Sequence, residues 1–291
     1  MTWILFTLLA AFAQSWRNAF QSHLAKDVPT LGVTLARFLW ASPLALVYLV
    51  VLYNVLPAEL PSFHLRFVGF ILGTSVMQII ATSLMVQLFK RSNYAVGAGL
   101  AKSEALVAAI LGMLFFGTAL SLLGWLGVFI GGIGVFMLST KGNYRDISVS
   151  TVIIGLASGS AFALTSLWAR EASLSIDVPF PHRAAWVLLL VISIQTLFLV
   201  TYLMLKDRQA LVALWRKPKM TLLTSTSSCI GSMGWFSAMS LQAVPYVKTL
   251  GQVEIFFTML ISVFWLKQRL RIRDGLGLIL VALAAILVMW T

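Results

Sequence analysis

The sequence predicts an all-α membrane protein of ten transmembrane helices, folded as two inverted five-helix repeats, and three observations predict it. The first is composition: of 291 residues, 60% are hydrophobic and only 10% charged, with a mean hydropathy of +0.95. A water-soluble domain carries about 25% charged residues, so hydrocarbon has to be the solvent for most of this surface. The second is a series of ten apolar runs, each of membrane-spanning length. The third is an internal repeat whose two copies carry their basic residues on opposite sides.

The runs fall at 2–21, 31–54, 65–89, 94–116 and 119–139 in a first repeat, residues 1–142. They fall at 149–170, 184–205, 219–242, 245–266 and 274–290 in a second, residues 148–291. Each is long enough for a helix to cross about 30 Å of hydrocarbon. The first begins directly at Met1-Thr2-Trp3, with no basic segment and no small-residue cleavage site, and reads as a span rather than a signal peptide. Ten spans of about 20 residues leave roughly nine residues per connection. That is too few for a soluble catalytic or nucleotide-binding module.

Asp27-Val28-Pro29 recurs as Asp177-Val178-Pro179, at an offset of 150. The same offset aligns Glu104 with Glu254, Leu120 with Leu270 and Gly127 with Gly277. Arg37-x-x-Trp40 also returns as Arg183-x-x-Trp186. The shared order of these matches indicates a duplication. Five spans is an odd number, so the second copy must enter the membrane upside down, and the charges agree. Lys90-Arg91 fills the third connection while the fourth, around Gly117, is uncharged; in the second copy Lys267, Arg269, Arg271 and Arg273 crowd the connection that corresponds to the uncharged one. The odd-numbered connections hold 15 of the 21 Lys and Arg residues, which by the positive-inside rule places them in the cytoplasm of a plasma or inner membrane and both termini outside.

The net charge of +12 therefore reports basic cytoplasmic loops and not nucleic-acid binding. The single Cys229 excludes a disulfide framework. A serine protease within the membrane is excluded because His23, His64 and His182 lie in connections, away from Ser158. No His-Glu-x-x-His segment or Gly-rich phosphate loop is present, so no metal, cofactor or enzymatic activity is expected.

Glu104 and Glu254 are the strongest candidates for chemistry. Each is expected about ten residues into a span, near the membrane midplane, where a charged side chain costs about 2.5–3.5 kcal/mol by insertion scales. Desolvation there favours the neutral carboxyl, which suits a group that exchanges a proton. Lys102 and Lys248 are the available counter-charges. Lys102 lies about 200° round a regular helix from Glu104, so a cross-repeat pairing, Lys248 with Glu104 or Lys102 with Glu254, is one arrangement. Surface snorkelling of Lys248 is the other. Arg37, some six residues into the second span, meets either an anionic group or the headgroups. Gln78, Gln242 and Gln252 are candidate hydrogen-bonding groups. Trp16, Trp40, Trp168, Trp186, Trp235 and Tyr246 supply substrate-stacking rings or interfacial belts. The pairs Gly69/Gly73, Gly127/Gly131 and Gly155/Gly159 read as helix-packing spacings, and Ser225 to Ser228 as hydroxyls bonded back to their own helix.

The chain resembles the drug/metabolite transporter superfamily, and within it the ten-span members with two EamA domains. The resemblance rests on Pro29 to Arg37, on Asn93-Tyr94-Ala95-Val96-Gly97-Ala98-Gly99, on Phe115 to Leu120 and on Gly124 to Val135. In the second copy it rests on Ala243 through Gly251-Gln252-Val253-Glu254 to Lys267-Gln268-Arg269-Leu270. Two departures stand out. Gly117-Thr118-Ala119 and Lys267-Gln268-Arg269 replace a common Gly-Glu-Arg, and Glu104 and Glu254 stand where many members have proline. The resemblance implies an alternating-access carrier in the lipid bilayer, often an exporter of amino acids or other small metabolites. It also implies both termini in the cytoplasm, opposite to the charge bias. The combined expectation is a proton-coupled exporter of a small polar or zwitterionic metabolite such as an amino acid, monomeric or homodimeric. Efflux of cationic drugs and a non-transporting scaffold or lipid-handling role are the alternatives.

Overall fold

The computed structural model describes residues 1–91, 101–139, 149–264 and 272–290. The segments Asn93–Gly99 and Lys267–Leu270, which carry part of the resemblance, lie outside them. Every regular element among the described residues is a helix. The order is α1 (Thr2–Leu24), α2 (Thr30–Phe38), α3 (Ala41–Val55), α4 (Leu65–Arg91), α5 (Glu104–Phe116), α6 (Leu122–Ser139) and α7 (Val149–Ser175). It continues with α8 (His182–Lys206), α9 (Arg208–Trp215), α10 (Pro218–Leu241), α11 (Val244–Leu250), a 3-10 turn (Gly251–Val253), α12 (Glu254–Phe264) and α13 (Ile272–Met289).

Three of the expected continuous spans are broken. The second breaks between α2 and α3, where the Ser225 hydroxyl of α10 enters the ladder. Ser225 Oγ donates to the Ala36 carbonyl at 2.6 Å and accepts from the Trp40 amide at 3.1 Å, replacing a helical bond between those two groups. Ser225 thus bonds a neighbouring helix, not its own as the sequence suggested. The ninth span breaks at the 3-10 turn, and in the fourth a turn at Lys102-Ser103 precedes α5. Glu104 and Glu254 are consequently the first residues of α5 and α12 rather than mid-helix residues. The basic stretch after Lys206, expected as a loop, contains the short helix α9, capped by the Asp207 carboxylate accepting from the Ala210 amide at 3.2 Å.

The bundle is apolar outside, and polar faces are buried inside its hydrophobic core. On α1, Ser15, Arg17, Asn18 and Gln21 are buried while Leu5, Leu9 and Phe12 face outward. Arg17, counted in the sequence with the basic loops, is an interior residue of α1. By length and composition, Thr30–Val55, Leu65–Lys90, Val149–Ser175 and His182–Lys206 suffice to cross a membrane, and three further described helices are apolar but shorter. The inward polar faces of α1, and of α10 with its buried serines and threonines, lower the hydropathy of otherwise long helices.

The most extensive helix contacts join α1 to α10, α4 to α7 and α6 to α13. Small residues permit them. A Cβ on Gly234 of α10 would sit 2.7 Å from the Phe6 carbonyl oxygen of α1, and one on Gly127 of α6 would sit 2.7 Å from Val288 of α13. Gly73 lies under the Trp168 ring of α7, whereas Gly69 faces open space, so only half of that spacing packs. Gly117 ends α5 at φ 61°, a left-handed conformation that disfavours any other residue here. Gly234→Val should force α1 and α10 apart and destabilise the bundle by about 1–3 kcal/mol. Thermal unfolding in detergent measures it, and an unchanged midpoint would contradict the close approach.

Candidate functional site

The breaks before α5 and α12 converge on one interior cavity between α1, α2, α4, α7 and α10. It is lined by, among others, Arg17, Arg37, Gln78, Lys102, Glu104 and Lys248. Both breaks are held by glycine. A Cβ on Gly251 would enter the Trp235 ring, and one on Gly159 would collide with the Ser103 hydroxyl and lie 3.1 Å from the Glu104 amide. Gly159 is therefore a seat for the turn that presents Glu104. The helix-packing role expected of it extends to positioning.

Glu254 is 2% exposed and receives three donors. Lys102 Nζ forms an ion pair with its Oε2, to which Gln14 Nε2 also donates, and Asn18 Nδ2 donates to Oε1 at 2.8 Å. Gln14 is itself fixed, its Oε1 accepting from Trp235 Nε1 at 2.8 Å. Asn18 is held by Arg17, whose Nη2 donates to Asn18 Oδ1 at 2.7 Å. Glu104, 8% exposed, pairs with Lys248, whose Nζ lies 2.6 Å from Oε1. Ser166 Oγ donates to the same oxygen at 3.0 Å. Lys248 Nζ also sits 4.2 Å from the Trp235 ring centroid, a cation–π contact. Of the two arrangements open to the lysines, cross-repeat pairing is the one found, and Lys248 does not snorkel. The turn at Lys102-Ser103 removes the regular-helix geometry from which the sequence argument started.

Arg37 is 2% exposed, and its Nη1 donates to Thr82 Oγ1 at 2.7 Å. Gln78 lines the cavity and accepts from Gln195 Nε2 at 2.7 Å. The other candidates lie elsewhere. Trp16 packs on Phe20, and Tyr246 accepts from the Ser121 amide at 3.2 Å beside Gly124, so neither is among the described cavity residues. Gln252 is buried near Gly131 and Ala284, between α6 and α13, with no hydrogen-bond partner on its amide among the described residues. Sequence reasoning passed over Gln14, Arg17, Asn18 and Ser166. The signal for the first three was present: they recur at three- and four-residue spacing inside an apolar run, which defines one polar helix face.

The lining side chains and Glu254 behind them hold four cations (Arg17, Arg37, Lys102 and Lys248) against two carboxylates, a formal excess of two positive charges. The cavity offers about 40 Å³ to the centres of water-sized molecules. One water needs about 10–15 Å³ on that measure, so the site as it stands accommodates a few waters, and a metabolite needs the helices to separate.

An all-helical bundle with an apolar exterior and a charged interior cavity is the build of an integral membrane protein. Residues 1–140 match the EamA-like transporter family. A solved structure described as "Crystal structure of protein" superposes with a TM-score of 0.70 at 14% identity, covering 98% of each chain. It shows the same fold along the whole chain. No curated protein matches.

Lys248→Ala leaves a buried Glu104 without its counter-charge and should cost about 3–5 kcal/mol. The double change Lys248→Ala, Glu104→Ala should cost less than the sum of the single ones, by about 0.5–3 kcal/mol. Chemical unfolding of the four proteins measures the cycle, and additive costs would remove the pair from the account.

Proposed function

We propose that the protein is a proton-coupled secondary transporter, working as an exporter, of a small polar metabolite of the amino-acid class. The observation that carries this reading is the reciprocal ion pairing at two matched helix breaks, Lys248 with Glu104 and Lys102 with Glu254. Broken helices whose ends meet at a central site are the usual construction of secondary-transporter binding sites.

Ten spans in two inverted repeats, residues 1–142 and 148–291, fit the contacts. Exchanging the halves turns the α1–α10 contact into the α7–α4 contact and returns the α6–α13 contact to itself. The same exchange carries one ion pair to the helices of the other. The basic connections favour a plasma or inner membrane with both termini outside, and moving Arg17 into the bundle leaves that bias in place. The excess positive charge of the cavity disfavours a cationic drug as cargo. Six ionisable groups gathered round one cavity disfavour an inert scaffold.

In this mechanism Glu104 and Glu254 are the proton sites. A proton taken at Glu254 Oε2 or Glu104 Oε1 cancels the attraction for the facing lysine. Because each pair joins the two halves, neutralisation releases one half from the other and opens the cavity to one side. Loss of the proton to the opposite side restores the pair and closes the cycle.

Glu254→Gln and Glu104→Gln should each abolish metabolite flux and its dependence on a pH gradient while leaving membrane insertion intact. Proteoliposomes with an imposed gradient test the coupling. Metabolite profiling of medium and cells from an overproducing host, beside the Glu254→Gln strain, names the cargo and the direction. Undiminished pH-dependent flux in both variants would sink the proton-site assignment.

A further inference from the structure

Arg37 is a buried cation within the field of Glu104 but with no carboxylate of its own among the described residues. None of their ion pairs includes it, its one hydrogen bond is to the neutral Thr82 hydroxyl, and its Nε has no partner. Both carboxylates of the site are engaged by lysines, Glu104 by Lys248 and Glu254 by Lys102. The guanidinium is not free to leave: its Cζ lies 5.3 Å from the Phe38 ring centroid and 5.9 Å from that of Phe162, and Phe162 lines the cavity with it. A rigid, permanently charged fork of five donors, held at a cavity with unused donor capacity, matches the two oxygens of a carboxylate.

Resting on the transporter reading above, we infer that Arg37 anchors a carboxylate of the cargo, and that the cargo carries net negative charge: a small dicarboxylate, or an acidic amino acid. The net charge follows from the balance of the site. A neutral zwitterion satisfies the Arg37 fork but leaves the excess of two positive charges unchanged, whereas a second carboxylate lowers it. Inorganic phosphate offers the same fork two oxygens, so its own shift of the unfolding midpoint separates it from a carboxylate. Thr82 is a positioning residue that aims the guanidinium, and Gln78, its Oε1 fixed by Gln195, lines the same cavity as a neutral donor for the remaining oxygens.

The test uses the purified full-length protein in detergent, with succinate, glutamate, inorganic phosphate and tetraphenylphosphonium as probes at matched ionic strength, read as shifts of the unfolding temperature. Succinate or glutamate should raise the midpoint of the wild type. Arg37→Gln should weaken that binding by at least about thirtyfold. Thr82→Ala, which keeps the charge and removes only the hydroxyl, should weaken it by about tenfold and covers the case in which Arg37→Gln does not fold. Stabilisation by phosphate or tetraphenylphosphonium alone, no shift with either carboxylate, or equal affinity in Thr82→Ala and wild type would overturn the assignment. Flux of labelled succinate or glutamate in proteoliposomes separates the two claims. Binding without flux leaves the anchor standing and removes transport, while metabolite flux unaltered in Arg37→Gln does the reverse.

Discussion

Charges inside a lipid-embedded bundle have to find each other, because an ion alone in that setting costs several kcal/mol even after relaxation. Much of this architecture follows from satisfying that requirement for Glu104 and Glu254. Each carboxylate takes its lysine from the other half of the chain, so the halves cannot part without separating four charges from their partners in a low dielectric. Placing each Glu at the first residue of a helix adds the positive end of the helix dipole, worth about 0.3–1 kcal/mol at an ordinary terminus. The helix breaks are thus part of how the charges are accommodated.

A break in hydrocarbon leaves backbone groups without helical partners, so each needs local compensation. The fold uses small residues for this. Gly251 admits the Trp235 ring against the 3-10 turn, and Gly159 admits the Ser103 turn against α7. At the α2–α3 junction the compensation is visible atom by atom, with one hydroxyl of Ser225 serving both the Ala36 carbonyl and the Trp40 amide. Trp235 links the two sides of the site: its indole N–H holds Gln14 on Glu254 while its ring faces Lys248 on Glu104. The same side chain therefore senses both ion pairs.

The helical membrane class was legible because composition and run length depend on local sequence alone, and the runs at 2–21, 65–89, 119–139, 149–170, 184–205, 219–242 and 274–290 end within five residues of the helices. Glu104 and Glu254 were legible as a matched pair for the same reason. A carboxylate in an apolar run is anomalous wherever it occurs. Their positions at helix starts were not, since the breaks are accommodated by Trp235, Gly159 and Ser225 on other helices. The choice between pairing and snorkelling for Lys248 was open for a related reason: it depends on what stands opposite. Arg17 was counted with the basic connections although it lies inside the first apolar run. Its three- and four-residue spacing from Gln14 and Gln21 marks it as one face of a continuing helix. Trp16 and Tyr246 illustrate the converse, where aromatic character gave no information about which side of the helix faces the cavity.

The magnitudes explain why carboxylates, rather than neutral polar groups, stand at the breaks. With both pairs formed, the cavity holds only a few waters, so admitting a metabolite requires at least one pair to open. Opening it with both charges in place costs about 3–5 kcal/mol. At 1.4 kcal/mol per factor of ten, that leaves the open form below about one per cent of the population. With a proton on the carboxylate the price becomes that of a neutral hydrogen bond, about 1–3 kcal/mol, a difference of one to two powers of ten in population. A Gln in the same place fixes the low cost permanently and cannot restore the lock. In the proton-coupled cycle proposed above the Glu–Lys pair does both, and the second pair, still closed, keeps the two halves in register while the first is open.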